Sequence, residues 1–171
     1  TGTLGDSALG LEQLRNKSRM VNPVAVRQLL ARHHRPTPRL STGALLAREK
    51  LATAMIDVSD GLLSDTRHLL EESGVGAMIW ENRIPLSQSY RRTSHLYSKD
   101  PFHMALSGGE DYELLFTASP EKREKISSLS RSFKIPITCI GKILPKKNKL
   151  RIVRKDGKTY SPSRLGFDPF R

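Results

Sequence analysis

The run Thr53-Ala54-Met55-Ile56-Asp57-Val58, followed at once by Ser59-Asp60-Gly61-Leu62, constrains this chain more than any other feature. A short apolar run bounded by turn residues reads as a buried strand. Leu62, Leu63, Thr66, Leu69 and Leu70 then recur at i, i+1, i+4, i+7 and i+8, the stripe of an amphipathic helix. A strand and a helix must therefore share one core, and the turn between them carries Asp57 and Asp60. An aspartate at the end of an apolar strand needs a partner, because burying an unpaired carboxylate is costly. Two readings stand. In one, Ser59 or Asp60 caps the helix and turn amides satisfy Asp57. In the other, the two acids hold a hard cation such as Mg²⁺, which takes oxygen ligands. The helix N-terminus beside them offers free N–H groups to a phosphate.

A second constellation is Ala105-Leu106-Ser107-Gly108-Gly109-Glu110-Asp111-Tyr112-Glu113-Leu114. Paired glycines allow positive φ or close approach of the backbone to a ligand. Three acids follow them just before an apolar run. They form either a solvated tight turn or a site for a metal or a cationic ligand. The run is neither a dinucleotide fingerprint nor a Walker loop. A third segment, Gly2-x-x-Gly5-Asp6-Ser7, reads as a loop turn, with a phosphate cradle as the alternative. The five histidines lack metal-ligand spacing and read as surface or half-buried polar residues. Cys139, the one cysteine, reads as a small core residue in an apolar strand.

The remaining pattern predicts helices over residues 7–16, 24–33, 40–49, 88–97 and 121–133, the second opened by Asn22-Pro23. Strands are expected over residues 77–80, 112–117, 136–140 and 150–153, with Asp156-Gly157 as a hairpin turn. Helices and strands mix without regular βαβ repetition, so an α/β or α+β sandwich is expected rather than a doubly wound sheet. At 171 residues with 37% hydrophobic content, the chain suits one domain with a real core. No apolar run approaches the roughly 18 residues of a membrane span. With a single cysteine and no signal-like start, the expected setting is a reducing, cytoplasmic compartment.

The formal net charge of +12 points to an anionic partner: nucleic acid, a membrane surface or a phosphorylated small molecule. Lys142, Lys146, Lys147, Lys149, Arg151, Arg154, Lys155 and Lys158 stand against one acid, Asp156. Lysines along a hairpin edge block strand-to-strand aggregation. The absence of interleaved aromatics speaks against a nucleic-acid stacking platform.

Taken together, Met55 to Leu62 (MIDVSDGL) and Leu106 to Leu114 (LSGGEDYEL) resemble thiamine-monophosphate kinase. That family belongs with aminoimidazole ribonucleotide (AIR) synthetase, selenophosphate synthetase and a hydrogenase maturation protein. Thr1 to Leu11, Arg35 to Leu40, Ser73 to Gly76 and Gly166-Phe167-Asp168 are similar to it as well, so the resemblance covers nearly the whole chain. It implies a three-layer α-β-α sandwich on a mixed sheet. It also implies transfer of the γ-phosphoryl group of ATP to thiamine monophosphate with Mg²⁺. By the same resemblance Asp57 and Asp60 match metal ligands, Ser59 a nucleotide contact and Glu110 a substrate contact. Phe167 matches a terminal aromatic on the substrate, where the family usually has Trp or Tyr, and Pro169 departs from the family pattern. The resemblance places residues 1–171 as a single C-terminal AIR synthase-related domain. By the resemblance, the family's N-terminal domain, which supplies most metal-binding acids and a homodimer interface, is expected to be absent from these 171 residues. The chain alone is therefore expected to be inactive, a truncated, cleaved or excised piece of a full-length kinase. A sister enzyme with another phosphorylated substrate and a basic, non-catalytic binding module are the alternatives.

Overall fold

The computed structural model describes residues 1–16 and 22–162. Two helices open the chain, α1 (Asp6–Arg15) and α2 (Pro23–His34). The Asn22 side chain caps α2 by accepting the Ala25 N–H at 3.1 Å, with Pro23 at the first helical position. Then follow α3 (Leu40–Arg48), β1 (Ala54–Val58), α4 (Leu62–Ser73), β2 (Val75–Trp80), α5 (Gln88–Thr93) and α6 (His103–Ser107). The chain continues through β3 (Glu113–Thr117), α7 (Arg123–Phe133), β4 (Gly141–Pro145), β5 (Leu150–Val153) and β6 (Thr159–Tyr160).

The strands divide between two sheets. β1 and β3 form an antiparallel pair, with Asp57 opposite Leu114 and Val58 opposite Glu113. The other sheet has the order β4-β2-β5-β6; β2 runs parallel to β5 and antiparallel to β4. The class is thus the expected mixed α/β. Gly157 takes φ +83° in the β5–β6 hairpin, as the Asp-Gly signal predicted. The core joins Leu9 and Leu29 of the opening helices to Leu62, Leu63, Leu69 and Leu70 of α4, and to Ile79 and Ile152. Among the described residues, no helix is long and apolar enough to cross a membrane.

Two expectations need correction. Residues 136–140 are not a strand but a connector; β4 begins at Gly141, and just before it the Ile140 carbonyl accepts the Trp80 N–H at 2.8 Å. Pro136 has no N–H to give a ladder, and its carbonyl instead accepts the Gly2 N–H at 2.8 Å. Cys139 is consequently exposed rather than a core residue. The lysine-rich segment does fall on an edge, since β4 is an outer strand and Lys142 is exposed. The fold also sets one aromatic ring, that of Tyr160, against the basic segment. The Arg154 guanidinium lies 4.8 Å above the Tyr160 ring.

Candidate functional site

The two motifs meet as one backbone junction. β1 ends at Val58 and α4 begins at Leu62, so residues 59–61 must turn sharply between them. Gly61 takes φ +118°, a conformation open mainly to glycine. Neither Ser59 nor Asp60 caps the helix. Asp65, in the first turn of α4, reaches back, and one of its carboxylate oxygens accepts the N–H groups of Ser59, Asp60 and Gly61, each at 3.1 Å. Burial pushes the Asp65 pKa up, the Asp60 and Gly61 amides lower it, and the Asp60 charge raises it.

The loop before β3 is threaded into that turn. The Glu110 N–H donates to the Ser59 carbonyl at 2.8 Å, and the Tyr112 N–H to the Val58 carbonyl at 2.9 Å. Gly109 permits this approach, because a Cβ there would lie 2.3 Å from the Ser59 carbonyl oxygen. Glu110 and Tyr112 both hold positive φ, at 67° and 51°. Such conformations persist in non-glycine residues only where the surroundings over-determine them.

The side chains then converge. The Tyr112 phenol has its pKa raised first by the neighbouring Glu110 carboxylate, then by burial, and further by Asp57 and Asp60. One phenol thus feels three acids from the two motifs. Asp57 and Glu110 are exposed. Among the described residues, neither the Asp57 nor the Asp60 carboxylate takes a hydrogen bond or an ion pair, so turn amides do not satisfy Asp57. Asp60, Asp65 and His68 bring one ligand atom each to within 4.8 Å of one another. His68 thus joins the acids although no histidine spacing announced it.

The other two acids of the second motif are structural, not solvated. The Asp111 carboxylate accepts the Gly5 N–H at 2.7 Å and the Ser7 N–H at 3.3 Å. The glycine turn at the start of α1 is therefore an anion cradle occupied by the chain's own carboxylate. Burial pushes the Asp111 pKa up to about 7; the two amides lower it, and Asp6 and Glu113 raise it. Glu113, 2% exposed, makes a bidentate pair with Arg39 at 2.8 and 2.5 Å and accepts the Thr1 hydroxyl at 2.7 Å. Burial raises its pKa, but the Arg39 and Thr1 bonds outweigh that and hold it below the ordinary glutamate value. The expectation for Phe167 lies outside the described residues.

The family profile of the AIR synthase related protein, C-terminal domain, matches residues 2–153. The chain belongs to that family. This AIR synthase related domain is 39% identical over 170 residues to the thiamine-monophosphate kinase of Salmonella typhimurium, covering 99% of this chain and 51% of that protein. It is 41% identical over 177 residues to the thiamine-monophosphate kinase of Haemophilus influenzae, covering 100% of this chain and 51% of that one. Among solved structures, the domain is similar to thiamine-monophosphate kinase from Stenotrophomonas maltophilia K279a, with TM-score 0.80 and 35% identity over 92% of this chain and 48% of that one. It is also similar to AaThiL complexed with AMPPCP and TMP, with TM-score 0.77 and 35% identity over 96% of this chain and 48% of that one. The chain spans about half the length of the curated relatives it matches.

Sequence reasoning singled out Asp57, Ser59, Asp60 and Glu110, and the AIR synthase related domain brings all four to one junction. It missed Asp65, Tyr112 and Asp111 as parts of the same construction. Asp65 carried a signal: an acid in the first turn of a helix whose N-cap is glycine is free to cap from inside. For Tyr112 no local signal exists, because its place among the acids depends on a left-handed backbone.

Proposed function

We propose that this chain supplies the C-terminal part of the active site of a thiamine-monophosphate kinase. The reaction transfers the γ-phosphoryl group of ATP to the phosphate of thiamine monophosphate, giving thiamine diphosphate and ADP. A phosphate oxygen of the acceptor forms the new bond to the γ-phosphorus. The bond from that phosphorus to the β,γ-bridging oxygen breaks, and ADP leaves with the electron pair. Such transfers demand little covalent chemistry of the protein and depend on positioning and charge neutralisation.

The observation that carries this reading is the lacing of residues 58–61 to residues 109–112 by the bonds from Glu110 N–H to Ser59 and from Tyr112 N–H to Val58, which sets the turn bearing Asp57 and Asp60 against the loop bearing Glu110. Asp57 and Asp60 are oxygen donors without a described protein partner, a donor set that fits Mg²⁺. Mg²⁺ bound there would neutralise charge on the β- and γ-phosphates. Ser59 contributes a nucleotide contact from the same turn. Glu110, exposed at the loop tip, faces the cationic thiamine and fixes the orientation of the acceptor; Phe167 stacks on that substrate. Asp65 and Asp111 do not touch substrate. They hold the two loops in register through the amides of Ser59, Asp60 and Gly61 and of Gly5 and Ser7. The domain works with an N-terminal domain of the same protein, in a cytoplasmic setting.

The test is thiamine diphosphate formation from thiamine monophosphate and Mg²⁺-ATP, run on this chain and on the protein extended to its start codon. Turnover in the extended protein and none in the chain alone is the expected result. No turnover in the extended protein, with AIR or another phosphorylated substrate accepted instead, would overturn the reading.

A further inference from the structure

Lysines on an edge strand guard against aggregation, but that explanation does not reach Arg151. It stands on β5, an inner strand between β2 and β6. Side chains alternate along a strand. Ala77 and Ile79 of β2 and Leu150 and Ile152 of β5 are buried in the core. Met78 and Trp80, and with them Arg151 and Val153, therefore belong to the opposite, outer face of the sheet. In β4, Lys142 pairs with Met78 and Leu144 with Gly76, which puts both on that same face.

Lys142, Met78 and Arg151 form one row across three strands, with neighbouring strands about 4.8 Å apart. Met78, Trp80, Leu144 and Val153 are half-buried, and Lys142 and Arg151 are exposed. The four strands of this sheet contain no aspartate or glutamate. Lys146, Lys147 and Lys149, exposed in the β4–β5 turn, continue the positive strip beyond the sheet. Among the described residues, none of these cations has a carboxylate within ion-pair distance.

The run from Lys142 to Lys158 contains no aromatic residue; β2 supplies one. Trp80 ends β2 beside Val153, and the Arg83 guanidinium lies 4.3 Å from its ring centroid. Arg154 is used differently, since it covers Tyr160, which pairs with Ile152. An indole with a guanidinium plane on it is a surface on which a nucleobase stacks. An acid-free sheet face with cations in a row and a stacking group at its end suits a strand of repeating charge with unpaired bases. A duplex hides its base faces, and a bilayer has none.

We propose that the outer face of the β4-β2-β5-β6 sheet binds a single-stranded nucleic acid. Phosphates lie along Lys142, Arg151 and the turn lysines, and a base stacks on the Trp80–Arg83 pair. No residue of the junction formed by residues 58–61 and 109–112 belongs to this sheet, and the proposal does not depend on the kinase reading.

The test is fluorescence anisotropy of a labelled oligothymidylate of about twelve nucleotides, within the span of one single-strand module. It is titrated with the protein extended to its start codon. Binding is expected at low salt, with a log–log salt slope of about −2, as three phosphate contacts give on a single strand. Arg151→Ala, at an exposed position, is expected to reduce that slope by about 0.7. Trp80→Leu is expected to weaken binding about tenfold and leave the slope unchanged. Should Trp80→Leu lose its cooperative melt, Arg151→Ala and Lys142→Ala, both exposed, carry the test. No binding at low salt would overturn the proposal. Binding that Arg151→Ala and Trp80→Leu both leave untouched would overturn it too, by placing the oligonucleotide elsewhere. Equal affinity for a duplex of the same length, for inorganic polyphosphate or for phosphatidylserine vesicles would show a surface that answers to charge alone, and the single-strand assignment would fall.

Discussion

The two helices that follow β1 and β3 make an instructive contrast. α4 buries seven of its 12 residues; α7 buries none of its 11. Both follow a strand of the same antiparallel pair, and both carry an apolar stripe, Leu62, Leu63, Leu69 and Leu70 in one and Ile126, Leu129 and Phe133 in the other. The difference lies in what ties each down. α4 begins in a turn held by Asp65, Gly61 and the carbonyls of Val58 and Ser59. α7 is attached by surface contacts such as Lys125 to Glu49 at 3.0 Å. The acids of the two motifs thus sit where backbone hydrogen bonds lace two loops together, whereas α7 is held by exposed contacts. A periodic stripe tells which face a helix turns inward. Whether anything dense lies beneath that face depends on tertiary packing.

The largest stability effect should come from the tightly held side. Arg39→Ala leaves Glu113 buried and unpaired, so a loss of about 3–5 kcal/mol is expected by denaturant titration. A loss below about 1 kcal/mol would mean that this pair does not anchor β3, and the contrast between the two regions would weaken.

A pH titration sharpens the same contrast. Burial pushes the Asp111 pKa up to about 7, well above the ordinary aspartate value. Its contribution to stability is therefore complete below the unfolded pKa and is lost as pH rises through about 7. Asp111→Asn does not titrate, so its stability relative to the parent chain should improve between pH 5 and pH 8 in paired denaturant titrations. A difference that stays flat with pH would show that Asp111 is not buried as described.

The smallest effect belongs to the loose side. Leu129→Ala in α7 should cost under about 1 kcal/mol, against about 2–5 kcal/mol for Leu62→Ala in α4. Equal costs would erase the distinction between the two helices.

Much of this was legible in the sequence. The apolar run Thr53 to Val58, the leucine stripe after it and the Asn22-Pro23 start each fixed an element within a residue or two, because local periodicity and capping chemistry decide them; the expected burial of the strand did not hold, since in β1 only Val58 is buried and Asp57 is exposed. The site was legible as two acid-bearing turns whose joint pattern resembles one family. Their interlocking was not, because the bonds from Glu110 to Ser59 and from Tyr112 to Val58 span about fifty residues of chain. The expected strand over residues 136–140 failed because apolar composition reports burial preference and does not show whether a partner strand lies alongside. The fate of Gly2 to Ser7 was equally hidden. The turn does cradle an anion, but the anion is Asp111, 104 residues beyond Ser7.

The central claim is that the 58–61 and 109–112 loops form one site with divided roles. The direct measurement is steady-state thiamine diphosphate formation by the protein extended to its start codon, with Asp57→Asn and Glu110→Gln made separately. Asp57→Asn is expected to lower kcat by about a hundredfold or more, with a higher Mg²⁺ requirement and an unchanged melting temperature. Glu110→Gln is expected to raise KM for thiamine monophosphate and leave KM for ATP alone. Full turnover of Asp57→Asn at saturating Mg²⁺, or a Glu110→Gln enzyme with unaltered KM for thiamine monophosphate, would contradict the account.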